Sequence, residues 1–299
     1  MVKLPIRCIR HRILLFLVVW SWGVVAAGMA QPHTGTDAAV PTPNIHLVLG
    51  NPSNATTHPS DADNFLLVKP QYVLSYHNTH GTSNWVSWHL QQSDLGTVNR
   101  QNDFHPDPDL PSSFTHVLPA DYTGSGFDRG HLCNSKDRTA TATDNSATFA
   151  MTNIVPQTPD LNRGPWEKLE SYSRTLVTQD NALSIIAGCT GTQPPIGHTH
   201  KVNVPTSCWK VIVVLSPDGD PLAHMDANTR VIAVDMPNTQ GIKTKDWRTF
   251  LTTVRELETK TGYDFLSNVP KAIQDQIETR RDTGRASPVR AGTRARSHP

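Results

Sequence analysis

The stretch from Phe127 to Glu170 constrains this chain more than any other. It opens with Asp128-Arg129-Gly130-His131, passes through Asn153-Ile154-Val155-Pro156-Gln157, and closes with Asn162-Arg163-Gly164-Pro165-Trp166-Glu167-Lys168-Leu169-Glu170. Gly126 and Gly130 permit tight backbone paths around the first string. Thr158-Pro159-Asp160 reads as a helix N-cap with proline in the first turn. Asn162, Trp166, Glu170 and Arg174 then recur every four residues, which on a helix lines them along one slowly drifting face. Trp166, Leu169, Tyr172 and Leu176 supply its apolar side. Pro165 leaves two readings open: the helix begins there, or the proline kinks a helix already started.

The flanks read as targeting, scaffold and tail. Basic residues up to Arg12 precede the apolar run from Ile13 to Trp20 and the small residues up to Gly28-Met29-Ala30, the pattern of a cleaved secretory signal over 1–30. The alternative is a membrane anchor, since 13–30 is just long enough to span a bilayer. Residues 31–44, rich in Pro, Thr and Ala, read as a flexible linker, and 280–299 as a basic tail without the apolar residues to bury a core. The whole chain carries +1, and each of the segments 1–30 and 271–299 holds four net positive charges, so the body is at −7. A nucleic-acid partner is usually announced by a basic domain. Here any polyanion must be met by a local basic cleft or a metal ion.

Export leaves three cysteines once Cys8 departs with the signal. Cys189 and Cys208 each border a strand-like run and are expected to pair across adjacent strands in an oxidising compartment; Cys133 is expected to be a small packing residue. Strands are expected over 65–68, 72–76 and 84–90, the last with alternating polarity and joined as a hairpin. Further strands are expected over 183–187, 208–215, 222–224 and 229–234. His105-Pro106-Asp107-Pro108-Asp109 reads as a polar loop outside the core. Trp247, Phe250, Leu251, Val254 and Leu257 recur at spacings of three and four, which predicts one helix over 244–261 closed by Gly262. A short helix is expected over 271–279. Hairpins mixed with helices, without regular βαβ units, argue for an α+β fold in one domain.

The chemistry concentrates in the opening stretch. A histidine can act as a general base near neutral pH, and the planar fork of Arg129 matches phosphate. Asp128 is placed to fix backbone or imidazole geometry. Asn162 is a cap or turn residue on the plain reading. On the functional reading it is an oxygen ligand to Mg²⁺, an ion that keeps several waters and needs few protein ligands.

Together the three strings resemble the DNA/RNA non-specific endonucleases of the ββα-metal superfamily, the group that includes mitochondrial endonuclease G and secreted bacterial nucleases. The resemblance extends to Leu49-Gly50-Asn51-Pro52-Ser53, Asn84-Trp85-Val86, Asp121-Tyr122-Thr123-Gly124 and Trp209-Lys210-Val211-Ile212, and covers roughly residues 45–270. It implies a nuclease domain over 45–279, with a central antiparallel sheet flanked by helices. It also implies that His131 is the general base, that Asn162 binds Mg²⁺ (or Mn²⁺ in its stead), and that Glu170 holds water at the metal. Asn153 and Gln157 would support the site through hydrogen bonds, and Arg129, Arg174 and Arg100 would bind phosphate. For Arg100 a solvated surface charge is the plainer alternative. The implied function is a secreted or periplasmic endonuclease that hydrolyses DNA and RNA to 5′-phosphate ends, with no membrane attachment after signal cleavage. Two other readings remain: a nucleic-acid-binding protein without catalysis, and a metal phosphodiesterase of small nucleotides.

Overall fold

The computed structural model describes residues 44–283; the expected signal, all but the last residue of the linker, and the tail from 284 onward lie outside the described residues. Strand β1 (Phe65–Val68), β2 (Val73–His77) and β3 (Thr82–Leu90) form a meander. The site-bearing ribbon follows as β4 (Asp128–His131) and β5 (Ile154–Gln157). Strands β6 (Ala182–Thr190), β7 (Gln193–Ile196), β8 (Val202–Val204), β9 (Ser207–Leu215), β10 (Val231–Pro237) and β11 (Leu251–Thr252) complete the set. Helices are α1 (Ala142–Ala147), α2 (Pro159–Leu161), α3 (Glu167–Thr178), α4 (Val254–Thr261) and α5 (Lys271–Ile277).

Seven strands make one antiparallel sheet in the order β1-β2-β3-β6-β9-β10-β11. The pleat sends successive side chains to opposite faces, and both faces are covered. Val86, Trp88, Leu90, Ile185 and Ile212 point into a core shared with Trp166, Leu169 and Leu176 around α3. Trp85, Trp209, Val211 and Val213 point into a second core with Val254, Leu257, Phe265 and Ile277. β3 is therefore buried along nearly its whole length, not on alternate residues, because a sheet between two layers has no solvent face. The Cys189–Cys208 disulfide joins facing residues of β6 and β9, and Cys133 is free and buried. Burial pushes the Cys133 thiol far up, which makes it a packing residue and not a nucleophile.

Several expectations fail locally. The single helix over 244–261 is instead a 3-10 turn (Trp247–Phe250), the short β11 and α4. Leu251 and Thr252 pair with Val234 and Ala233 of β10, and Thr253 with Glu256 builds a capping box that starts α4 afresh. Gly262 closes it in the left-handed region (φ 75°). Leu222–His224 is a 3-10 turn, not a strand. Asp107 of the Pro/Asp loop is buried, 2.8 Å from the Lys69 ammonium and hydrogen-bonded by Thr152, so that loop does enter the core. At the far end, Arg280 donates to the Ala227 and Thr229 carbonyls and Asp282 pairs with Arg230 at 2.9 Å.

Candidate active site

The ribbon β4–β5 and the helical segment after it carry the motif residues. Asp128 faces Gln157, Gly130 faces Val155 and His131 faces Ile154. Gly130 is required by close approach: a Cβ there would collide with the side-chain amide of Gln157. Gln157 is fully buried, and neither atom of its amide has a hydrogen-bond partner. Asn153, also fully buried, fixes the end of β4. Its Oδ1 accepts the Cys133 N–H at 2.8 Å, and its Nδ2 donates to the carbonyls of Cys133 and Thr148, each at 2.8 Å. Trp166 ties the helical arm to the same strand, donating from Nε1 to the His131 carbonyl at 3.3 Å.

His131 is 6 % exposed, with its ring packed on Phe149 at 4.9 Å and Phe104 at 5.5 Å between centroids. Burial, with the Arg100 charge adding to it and a backbone hydrogen bond to Arg129 opposing it, pulls the imidazole down to about 3. The ring is therefore neutral at physiological pH. Nε2 is buried without a hydrogen-bond partner, and the tautomer a general base needs is the one that leaves the lone pair on that nitrogen.

The open question at Pro165 resolves into a kink. Thr158 caps α2, its Oγ1 accepting the Leu161 N–H at 3.3 Å. Asn162–Trp166 is a widened π-type turn, broken at Gly164 (φ −124°, ψ −117°), and α3 starts only at Glu167. Gly164 packs on the backbone of Lys243, where a Cβ would lie 2.8 Å from the Lys243 Cα. The expected single face through Asn162, Trp166, Glu170 and Arg174 is therefore cut. Pro165 lacks the N–H that would continue the helix, and Asn162 is re-aimed independently of Glu170 and Arg174.

Asp128 accepts Asn162 Nδ2 at 2.9 Å and a two-pronged pair from Arg163 at 2.8 and 2.6 Å; it orients Asn162, not the imidazole. With Nδ2 so engaged, Oδ1 is the atom of Asn162 left to accept or to coordinate. Glu170, 4 % exposed, accepts from Asn134 Nδ2 at 2.5 Å through Oε2, while Oε1 has no hydrogen-bond partner. Burial raises its carboxyl to about 7, opposed first by Lys210 and reinforced by Asp137. Arg174 pairs with Asp137 at 2.9 Å. A free amide oxygen on Asn162 and a carboxylate oxygen on Glu170 without a hydrogen-bond partner are donors of the kind a hard divalent cation and its waters take.

The remaining arginines are drawn in through aromatic rings. Arg100 is exposed but anchored: it lies 4.7 Å above Phe149, donates to Ser135 Oγ at 2.6 Å, and its charge reaches His131. Arg129 donates to the Pro119 carbonyl at 2.8 Å and sits 5.3 Å above Phe104. Phe104, Phe149, Asn134 and Asp137 were not singled out in the sequence. Asn134 and Asp137 follow His131 by three and six residues, which is the signal that points to them.

Residues 49–272 match the sequence model of a family described as DNA/RNA non-specific endonuclease. A nuclease of Nostoc sp. is 52 % identical over 244 residues, covering 81 % of this chain and 88 % of the relative. Human mitochondrial endonuclease G is 30 % identical over 218 residues, 67 % of this chain and 69 % of that protein. The crystal structure of an EndoG/EndoGI complex superimposes with a TM-score of 0.66 at 24 % identity, over 80 % of this chain and 96 % of the matched chain.

Proposed function

The chain belongs to the DNA/RNA non-specific endonuclease family and is a metal-dependent nuclease, and we propose that it is an exported, Mg²⁺-dependent enzyme whose general base is His131 and whose metal ligand is Asn162. The observation that carries this reading is the buried, unpartnered Nε2 of a neutral His131, held on the same ribbon whose Asp128 orients Asn162.

His131 accepts the proton of the attacking water at Nε2. Asn162 would hold the ion through Oδ1, with Mn²⁺ able to replace Mg²⁺ there. The bound ion supplies positive charge to the phosphate and to the leaving oxygen. Glu170 orients water through its carboxylate, and Asn153 keeps the end of β4 in register. Gln157, expected to support the site through hydrogen bonds, makes none with its amide and instead packs against Gly130. Arg100, Arg129 and Arg174 meet phosphate charge, locally attractive in a body at −7. Contacts to phosphate and sugar carry little sequence information, which suits cutting without sequence preference. The signal-like residues 1–30 and the disulfide support export to the periplasm or beyond. Among the described residues no helix is long and apolar enough to cross a membrane.

The test uses the chain from residue 31 with plasmid DNA, ribosomal RNA and a small phosphodiester, each with Mg²⁺ and with excess chelator. Cleavage of both polymers only with metal is expected. Activity confined to the small diester, or surviving the chelator, overturns the proposal.

A further inference from the structure

Beneath Glu170 lies a cation that the reaction as described does not use. Lys210 sits on β9 and is 1 % exposed, among the largest fully buried side chains. Its ammonium stands 4.2 Å from the centre of the Trp166 ring and 5.6 Å from that of Trp88, on the face of the sheet that α3 covers. It lies 3.6 Å from Glu170 Oε1, the oxygen without a hydrogen-bond partner. The other oxygen is held from the opposite strand connection by Asn134.

A buried ammonium is costly unless a carboxylate answers it, and aromatic faces add only a partial compensation. Lys210 is too deeply buried to touch nucleic acid, so any effect on the reaction passes through its neighbours. We propose that Lys210 is a positioning residue that clamps the carboxylate of Glu170 from the sheet side, so that Oε1 is fixed where the site uses it. This deepens the reading in which Glu170 orients water at the metal and rests on it.

The charges around Glu170 compete, and burial that lowers Lys210 is opposed first by Glu170. Burial and Asp137 favour the neutral acid, and Lys210 is the strongest opposing group, ahead of Arg174 and the Asn134 hydrogen bond; Arg100 also faces this carboxylate. With Lys210 gone, Oε1 loses the one charged group that stands against it from the sheet.

The test is a double-mutant cycle on the full mature chain with DNA and saturating Mg²⁺, using Lys210→Met, Glu170→Gln and the pair. Lys210→Met is expected to lower kcat by about 10- to 100-fold, the scale of a lost supporting contact at a metal site, with KM within about threefold. In the Glu170→Gln background the same change is expected to lower kcat less than about threefold, because the group it acts through is already neutral. Raising the pH is expected to recover part of the Lys210→Met loss. A ¹³C titration of the Glu170 carboxyl, assigned by its absence in Glu170→Gln, should show its midpoint higher in Lys210→Met than in the wild type. Equal fold-losses in both backgrounds, or an unshifted midpoint, overturn the proposal. Full activity of Glu170→Gln would instead remove the reading it rests on. If Lys210→Met does not fold, Lys210→Gln takes its place in the cycle with the same outcomes.

Discussion

Asn153→Ala tests how the end of β4 is held. The side chain makes three hydrogen bonds to backbone groups, all at 2.8 Å and all out of contact with water. At roughly 1 kcal/mol net for each, the truncation costs about 3 kcal/mol. For a domain of this size that lowers Tm by about 6–12 °C. Asn153→Asp is the sharper variant. It keeps the acceptor for the Cys133 N–H but turns an anionic oxygen toward two carbonyl oxygens, so at neutral pH it should be less stable than Asn153→Ala despite its shape. Burial beside those carbonyls raises the Asp carboxyl in the folded state above its unfolded value. The stabilisation from protonation is therefore present in acid and lost as pH rises through the folded pKa, and the gap between the Asp and Ala variants should widen toward alkaline pH. Calorimetry from pH 5 to 8 measures both effects, with plasmid cleavage run alongside. Because Cys133 lies two residues past His131, a displacement near 1 Å would also cost about 100-fold in rate. An Asn153→Ala protein that melts within 2 °C of the wild type, or an Asp variant as stable as the Asn protein at neutral pH, would refute the reasoning.

Two further outcomes follow from the same geometry. His131 is held down to about 3 by burial and Arg100, so its ring should remain neutral from pH 8 to 5 in a ¹H–¹⁵N NMR titration; a midpoint near the ordinary 6.5 would contradict the burial argument. Gly164→Ala places a Cβ 2.8 Å from the Lys243 backbone, which cannot yield as a side-chain end can. An overpacking cost of about 1–3 kcal/mol is expected, read as a lower Tm, and an unchanged Tm would show that the kink does not depend on that approach.

Much of the site was legible because its residues fall in three contiguous strings. Asp128, Gly130 and His131 are one short strand, and Asn153 and Gln157 bracket its partner. Lys210 reads as part of an apolar strand; nothing in Trp209-Lys210-Val211-Ile212 tells that the pleat turns its ammonium toward Glu170. Arg100 is not legible from its neighbours in sequence, since its link to His131 runs through the ring of Phe149 and not through the chain. The fold's main misreading, one helix over 244–261, arose because a 3-10 turn followed by α4 satisfies the same apolar spacing. The signal that separates them is local: β-branched Thr252-Thr253 with Glu256 three residues on, a capping box in mid-pattern. Asp107 looked like loop because its partner Lys69 lies 38 residues away in sequence.

The central claim, that His131 takes the proton of the attacking water, is tested most directly by His131→Ala on supercoiled plasmid in saturating Mg²⁺. A loss of about 10²- to 10⁴-fold in the cleavage rate is expected, from a protein whose circular dichroism matches the wild type. Plasmid degradation at a near-normal rate by that variant would contradict it.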